Sequence, residues 1–317
     1  MRLLRIVPDD TKFRFVHWRW LSYPLSAAYS ILTVVLFLTV GLNFGIDFRG
    51  GTLIEMQSKG VPVEIGEIRK TADSFGFGEV EVQEFGQGGS VSMRFALQPG
   101  GEAAQQGVVQ RVRESFGQNF DFPRVETVGP RVSGELVQAG TVGIVLAIIG
   151  VLIYLWFRFE MQLALGAIVG TLHDIVLTVG FFLITQLEFN LTSIAAILTI
   201  IGYSLNETVV VFDRTRELLR RYKTMPIPDL LNLSVNSTLS RTAMTATTSI
   251  LSLIALVLFG GRAIEGFAIV MLFGVVVCTY SAMFVSTPVL LYFDVRGGRG
   301  ESAEEKAPAS KAAARTV

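Results

Sequence analysis

The sequence predicts an α-helical polytopic membrane protein of about six transmembrane helices, with an α+β ferredoxin-like domain of order βαββαβ between helices 1 and 2. Three observations carry this. Half of the 317 residues are hydrophobic and only 17% are charged, with mean hydropathy +0.51, too apolar for an ordinary soluble domain. Apolar runs of about 18 residues or more, enough for a hydrocarbon core of roughly 30 Å, begin near Pro24, Gly140, Leu163, Leu191, Thr245 and Gly266. Between the first two runs, residues 45–136 hold no run long enough to cross.

Residues 1–23 form a basic segment with Arg2, Arg5, Lys12, Arg14 and Arg19. Two further basic clusters follow Phe212 (Arg214, Arg216, Arg220, Arg221, Lys223) and occupy the tail (Arg296, Arg299, Lys306, Lys311, Arg315). Their Lys and Arg excess places these segments in the cytoplasm, and an even number of spans agrees with both termini being there. Trp18, Trp20 and Tyr23 before the first span, and Trp156, Phe157 and Phe159 after the second, read as interfacial belts. The first span, 24–44, has a long apolar core and no small-x-small cleavage site before Asn43, so it reads as a retained anchor. Cys278 is the only cysteine, which leaves no internal disulfide to form.

The segment 45–137 is expected to fold on the far side of the membrane. Polar-apolar patterning predicts strands at 52–57, 79–84, 90–95 and 124–128, and helices at 63–75 and 103–116. Gly86-Gln87-Gly88-Gly89 supplies the central hairpin turn and Pro99-Gly100-Gly101 breaks the chain before the second helix. Residues 138–294 read as a five-helix bundle interrupted by a basic cytoplasmic loop, 213–240. Gly166-x-x-x-Gly170 in the third span, and Gly140, Gly143, Ala147 and Gly150 in the second, suit close helix approach where lipid gives no hydrophobic drive. By composition 295–317 is a disordered tail.

Three spans carry polar residues away from their ends. In the fourth, Tyr203, Asn206 and Glu207 recur at helical spacing, which predicts a shared face. In the third, His173-Asp174 falls near the middle. In the fifth, Arg241, Thr245, Thr248 and Ser252 build a stripe. A charged side chain near the bilayer centre costs roughly 3 kcal/mol on insertion scales, so such residues face a partner or a wet pathway. The charge state of an acid and a base on neighbouring spans responds to surroundings, so moving Arg241 towards or away from Glu207 would load or release a proton. Asp213-Arg214, just past the fourth run, reads as an interfacial ion pair.

Enzyme classes find little support. His17 and His173 are the only histidines, there is no His-Glu-x-x-His, and no Ser is followed by the glycine a serine-nucleophile elbow needs near Gly202-Tyr203-Ser204. No phosphate loop ending in Lys-Ser/Thr appears, so neither ATP nor any other cofactor is expected.

Gly45-Ile46-Asp47-Phe48-Arg49-Gly50-Gly51-Thr52, the run from Val128 to Leu136 beginning Val128-Gly129-Pro130-Arg131, His173-Asp174, the run from Ile201 to Arg214, and Ser240-Arg241-Thr242 together resemble the SecD/SecF family. The resemblance covers nearly the whole chain. It implies a subunit of the bacterial Sec preprotein translocase in the inner membrane, paired with SecD in a fold similar to proton-driven exporters of the resistance-nodulation-division class. It further implies association with the SecYEG channel, with YajC and with unfolded preprotein, drawn out on the periplasmic side by the proton gradient. The family's intramembrane acid falls on Glu207 and its arginine on Arg241; many members have Asp at the first of these, one methylene shorter. The expected proton pathway is therefore Glu207, Arg241, His173, Asp174, Asn206, Tyr203, Thr245 and Thr248. Asp47, Gly50, Gly51, Gly129 and Pro130 are expected to hinge the outer domain, since glycine permits bending and close backbone approach. Two other readings share this fold: a half-transporter of the same exporter class for lipids or small molecules, and a structural assembly factor without coupling.

Overall fold

The computed structural model describes Pro8 and residues 11–78, 80–84 and 89–296. Most of the expected hairpin turn at 86–89, Glu79 of the second strand and the tail beyond Arg296 lie outside them. In chain order the elements are α1 (Arg19–Thr39), α2 (Ile46–Arg49), β1 (Gly51–Ser58), α3 (Ile65–Asp73), β2 (Val80–Glu84), β3 (Ser90–Phe95), α4 (Gly101–Phe116), β4 (Phe120–Val128), α5 (Pro130–Arg158), α6 (Met161–Thr185), α7 (Leu191–Arg221), α8 (Ile227–Phe259) and α9 (Arg262–Ser281). Among the described residues, six helical segments are long and apolar enough to cross a membrane, counting Phe15–Thr39 and Ile264–Tyr292 as the first and last. The chain divides into two compact units. One holds the described residues up to Gly41, Ala147–Thr185 and those from Ala195 onwards; the other holds Leu42–Leu146 and Gln186–Ile194.

The second unit is built on a four-stranded sheet of order β2-β3-β1-β4, with every neighbouring pair antiparallel. Central β1 is buried along Gly51–Met56, whereas β2 alternates, with Val80 and Val82 inward. Ile54, Met56, Met93 and Phe95 from the sheet pack against Ile68 and Ala72 of α3 and Val108 and Val112 of α4. Two polar groups are buried with partners. Thr52 Oγ1 donates to Gln105 Oε1 at 2.6 Å, and Arg124 Nη1 lies 3.2 Å from Glu55 Oε1 while its Nε donates to Glu126 at 2.8 Å. Burial works against the Arg124 guanidinium's charge, but the two carboxylates outweigh it and raise its pKa above the usual arginine value.

The unit differs from the expected 45–137 domain in taking in Gln186–Ile194, a segment that hydropathy assigns to a short connection between spans. Gly50 and Gly51 both have positive φ (72° and 118°), and a Cβ on Gly51 would stand 2.3 Å from the Phe95 carbonyl oxygen, so this glycine is locked against β3. Gly129 has open space around it, and Pro130 opens α5, where its missing N–H costs nothing.

In the membrane-type unit, Leu155, Phe159, Leu163, Ala167, Val211, Phe212, Leu231 and Leu290 form one core. The expected close approach at Gly166 and Gly170 is present in α6. A Cβ on Gly170 would lie 1.8 Å from Ser286 Oγ, and one on Gly166 would lie 2.7 Å from Leu290 Cδ2. Gly143 and Gly150 meet nothing within 4 Å. Gly170→Leu is therefore expected to lower stability by several kcal/mol, more than the roughly 1–3 kcal/mol of ordinary overpacking, while Gly143→Leu stays near neutral; thermal melting in detergent checks both.

The last span contains a π turn, Ala282–Ser286, after which helix continues to Tyr292. Pro288 lacks the N–H that would bond the Phe284 carbonyl four residues earlier, and Ser22 of α1 donates its hydroxyl to that carbonyl at 2.9 Å. Before α1, Phe13 exchanges two hydrogen bonds with the Asn236 amide, and Val16 N–H donates to Asn232, one turn earlier on α8.

The basic stretch 213–240 corrects an expectation. It is helical apart from residues 222–226, because α7 runs on to Arg221 and α8 begins at Ile227. Leu218 and Leu219 pack on Leu230, and the Thr215 and Ser234 hydroxyls meet at 2.7 Å, so an apolar seam hidden beneath surface charge holds the two helix ends together. Asp213 pairs with Arg158 rather than with Arg214, whose guanidinium reaches Glu217 at 2.5 Å.

Candidate functional site: an ionisable core in the helical unit

α7 sets the geometry. Ile200, Ile201, Ser204, Glu207, Thr208, Val211, Phe212 and Thr215 are all buried, a stripe at the helical period that faces the bundle. Glu207 lies inside this stripe and is only 2% exposed. The same period turns Asn206 about 100° away, and it is exposed. The expected single face is thus divided: acid inward, amide outward, with the Tyr203 ring half-buried between them.

Glu207 Oε1 accepts a hydrogen bond from Thr245 Oγ1 of α8 at 2.9 Å. Thr245 Oγ1 also lies 3.0 Å from the Thr242 carbonyl oxygen, yet it carries one proton and can serve one acceptor at a time. The Tyr203 phenol oxygen is buried beside the hydroxyls of Thr245, Ser249 and Thr279, with none of them in hydrogen-bonding geometry. An unsatisfied buried hydroxyl next to a carboxylate marks a place where a small rotation makes a new bond.

A second group surrounds Asp174, 1% exposed on α6. Its Oδ2 accepts from Ser204 Oγ of α7 at 2.5 Å, and its Oδ1 lies 3.1 Å from His173 Nδ1. His173 Nε2 is 2.9 Å from Ser26 Oγ on α1, which in turn is 3.4 Å from the Tyr280 hydroxyl of the last span. With Nδ1–H donating to the carboxylate, Nε2 is left to accept from Ser26, so the string runs in one direction. Cys278 donates to the Ile200 carbonyl at 3.7 Å and stands beside both carboxylates. Ser26, Ser204, Tyr280 and Cys278 are members that sequence reasoning did not place in the site. Each is a lone polar or sulfur group in an apolar run, and its significance depends on which helix lies opposite.

The remaining expected residues are elsewhere. Arg241, Thr248 and Ser252 of α8 are exposed, and among the described residues Arg241 pairs with no carboxylate. Thr248 donates back to the Met244 and Thr245 carbonyls of its own helix. Arg241 and Glu207 are therefore not brought together as expected: α8 turns Thr245 towards α7, whereas the face carrying Arg241, Thr248 and Ser252 is left exposed by the described residues. Among the described residues, no three metal-ligating side chains converge.

Six apolar helical segments, an α/β insertion after the first and two carboxylates held among hydroxyls define a multi-pass membrane protein with an ionisable core. Comparison with known families makes the class specific. The model described as protein export membrane protein SecD/SecF, C-terminal, matches residues 108–296, and the SecD/SecF GG motif matches residues 35–60. The chain belongs to the SecD/SecF family of protein export membrane proteins.

It is 41% identical to the protein translocase subunit SecF of Rhodobacter capsulatus over 97% of this chain and 96% of the relative. It is also 41% identical to the protein translocase subunit SecDF of Brucella abortus over 93% of this chain, but spans only 39% of that longer protein. The crystal structure of SecDF from Thermus thermophilus, a translocon-associated membrane protein, superposes with TM-score 0.80 at 28% identity, covering 90% of this chain and 39% of that one.

Proposed function

We propose that the chain is a SecF-type subunit of the Sec protein translocase, which works with SecD to couple proton movement across a bacterial inner membrane to export of preprotein at the periplasmic side. The observation that carries this reading is Glu207: a carboxylate in the middle of a spanning helix, 2% exposed and bonded to a single threonine hydroxyl. An ionised carboxylate there is costly without a cation, so gain and loss of a proton change which neighbours it favours. When ionised, Glu207 takes the Thr245 proton; when protonated, it donates, and the Thr245 proton turns to the Thr242 carbonyl. That exchange alters the seam between α7 and α8. One proton falling through about 100 mV releases roughly 2.3 kcal/mol, enough to shift a two-state equilibrium about fifty-fold.

The exposure of Asn206 on α7 and of Arg241, Thr248 and Ser252 on α8 supports SecD as the covering partner, because polar side chains within a span are costly against lipid. Arg241, supplied at that interface, is the cation that Glu207 meets in another state of the cycle. The SecYEG channel, YajC and preprotein belong to the same reading as the assembly on which the conformational change acts. The outer α/β unit is then periplasmic and both termini cytoplasmic, in accord with the Lys and Arg distribution.

The direct test is preprotein export by Glu207→Gln with and without a proton gradient. Arg241→Gln adds a second expectation: because the side chain is exposed, melting of the isolated chain should change by no more than about 0.5 kcal/mol, while gradient-driven export in the presence of SecD falls sharply.

A further inference from the structure

Within the outer unit, the backbone leading into the domain is bonded to the connection between α6 and α7. Gly45 N–H donates to the Phe189 carbonyl at 2.8 Å, and Phe189 N–H donates to the Asn43 carbonyl at 2.7 Å, a parallel bridge. The rings of Phe44, Phe48 and Phe189 cluster with centroids 5.9 Å apart. A Cβ on Gly45 would lie 3.3 Å from Asn190 Cβ, so the chains meet more closely there than a side chain easily allows. Arg94 of β3 ties the joint to the sheet: its guanidinium donates to Asn43 Oδ1 at 3.2 Å and to the Phe44 carbonyl at 3.3 Å, and it pairs with Glu188.

The first turn of α7 completes this joint. Asn190 and Ser193 form a reciprocal cap, with Ser193 N–H donating to Asn190 Oδ1 at 3.0 Å and Asn190 N–H to Ser193 Oγ at 3.2 Å. That box leaves the Leu191 N–H, and Asp47 Oδ2 accepts it at 2.9 Å. A carboxylate is the favoured acceptor at the positive end of a helix. Asp47 belongs to the glycine-rich run Gly45 to Gly51 and meets Leu191 only in space, 144 positions away in the chain.

We propose that Asp47 is a positioning residue for transport: its carboxylate anchors the start of the helix that carries Glu207, so the outer domain holds that helix at its first turn. The inference rests on the proton-coupled reading of Glu207. α7 is unbroken from Leu191 to Arg221, and a continuous helix passes a displacement of its first turn along its length. The glycine-rich run after α1 thereby acts as a clamp on α7, a role different from the hinge expected of it.

The test uses the full chain with SecD in vesicles, with preprotein export read under a proton gradient. Asp47→Ala is expected to remain folded, melting only slightly below the parent chain, and to keep SecD copurification while gradient-stimulated export falls about five-fold, the population shift that loss of one helix cap produces. Phe44 and Phe189 are paired across the parallel bridge, where neighbouring backbones run about 4.8 Å apart, a spacing that suits the roughly 4.4–6.8 Å Cα separation of a disulfide, and Cys278 is buried away from oxidant. Oxidised Phe44→Cys/Phe189→Cys in the Asp47→Ala background is expected to restore export. Unchanged export in Asp47→Ala, or failure of the staple to restore it in protein that remains folded, overturns the proposal. If Asp47→Ala does not fold, Asp47→Asn replaces it: faster hydrogen exchange at the first-turn amides of α7 together with reduced export supports the anchor, and unchanged exchange overturns it. Glu207→Gln assayed in parallel keeps the two ideas apart. Full activity there removes the proton reading, whereas full activity in Asp47→Ala removes only the anchor.

Discussion

Glu207→Gln is expected to leave export at its gradient-independent rate, with the stimulation by a proton gradient lost. Glutamine has nearly the same shape, and its amide oxygen accepts the Thr245 hydroxyl that Glu207 now accepts at 2.9 Å. Packing and melting should hardly change. What disappears is the ability to exchange a proton and with it a charge of one unit, which at about 100 mV is worth up to roughly fifty-fold in a conformational equilibrium. Glu207→Asp retains the titratable group but withdraws it by one methylene from Thr245, so partial stimulation is expected. Both are measured as preprotein export into vesicles with the gradient intact and after an ionophore collapses it. Stimulation surviving in Glu207→Gln would assign Glu207 to packing alone.

The second large effect concerns stability. Asp174→Ala should cost about 3–5 kcal/mol, because it strands buried partners as well as deleting their bonds. Ser204 loses its 2.5 Å acceptor, and His173 loses the carboxylate that orients its ring towards Ser26. Asp174→Asn keeps an acceptor for Ser204 and is expected to cost less than half as much, while Ser26→Ala, at the far end of the string, should cost about 1 kcal/mol. Melting of the detergent-solubilised chain orders the three. The contrast with Glu207→Gln is the informative part: one carboxylate is tied to partners on two helices, the other to a single hydroxyl. If Asp174→Ala melted like the parent protein, the string from α1 through α6 to α7 would have no structural weight.

The spans, the strands at 90–95 and around 52–57, and the helix ending at Phe116 were legible because hydropathy and period-two alternation report local burial directly. Stretch 213–240 was not legible. Its arginines dominated the local signal, while the Leu218, Leu219 and Leu230 seam that makes it helical appears only when two helix ends are laid together. In the ionisable core, Glu207 and His173-Asp174 stood out as titratable groups in apolar runs, but the sequence did not distinguish inward Glu207 from outward Asn206, one residue apart. It also passed over Ser26 and Tyr280, since a single hydroxyl in a span has no pattern of its own.

By itself, then, the sequence determined how many segments suit a bilayer, where the α/β insertion falls and that Glu207 and His173-Asp174 lie within the spans. These follow from length, composition and the cost of polar groups in hydrocarbon, all properties of a segment taken alone. The tertiary structure alone decided that Thr245 meets Glu207, that Ser26 meets His173, and that Asp47 caps a helix 144 positions away. Lipid supplies no hydrophobic drive between helices, so such pairings depend on close contact between particular faces, and a one-dimensional pattern does not contain which faces touch.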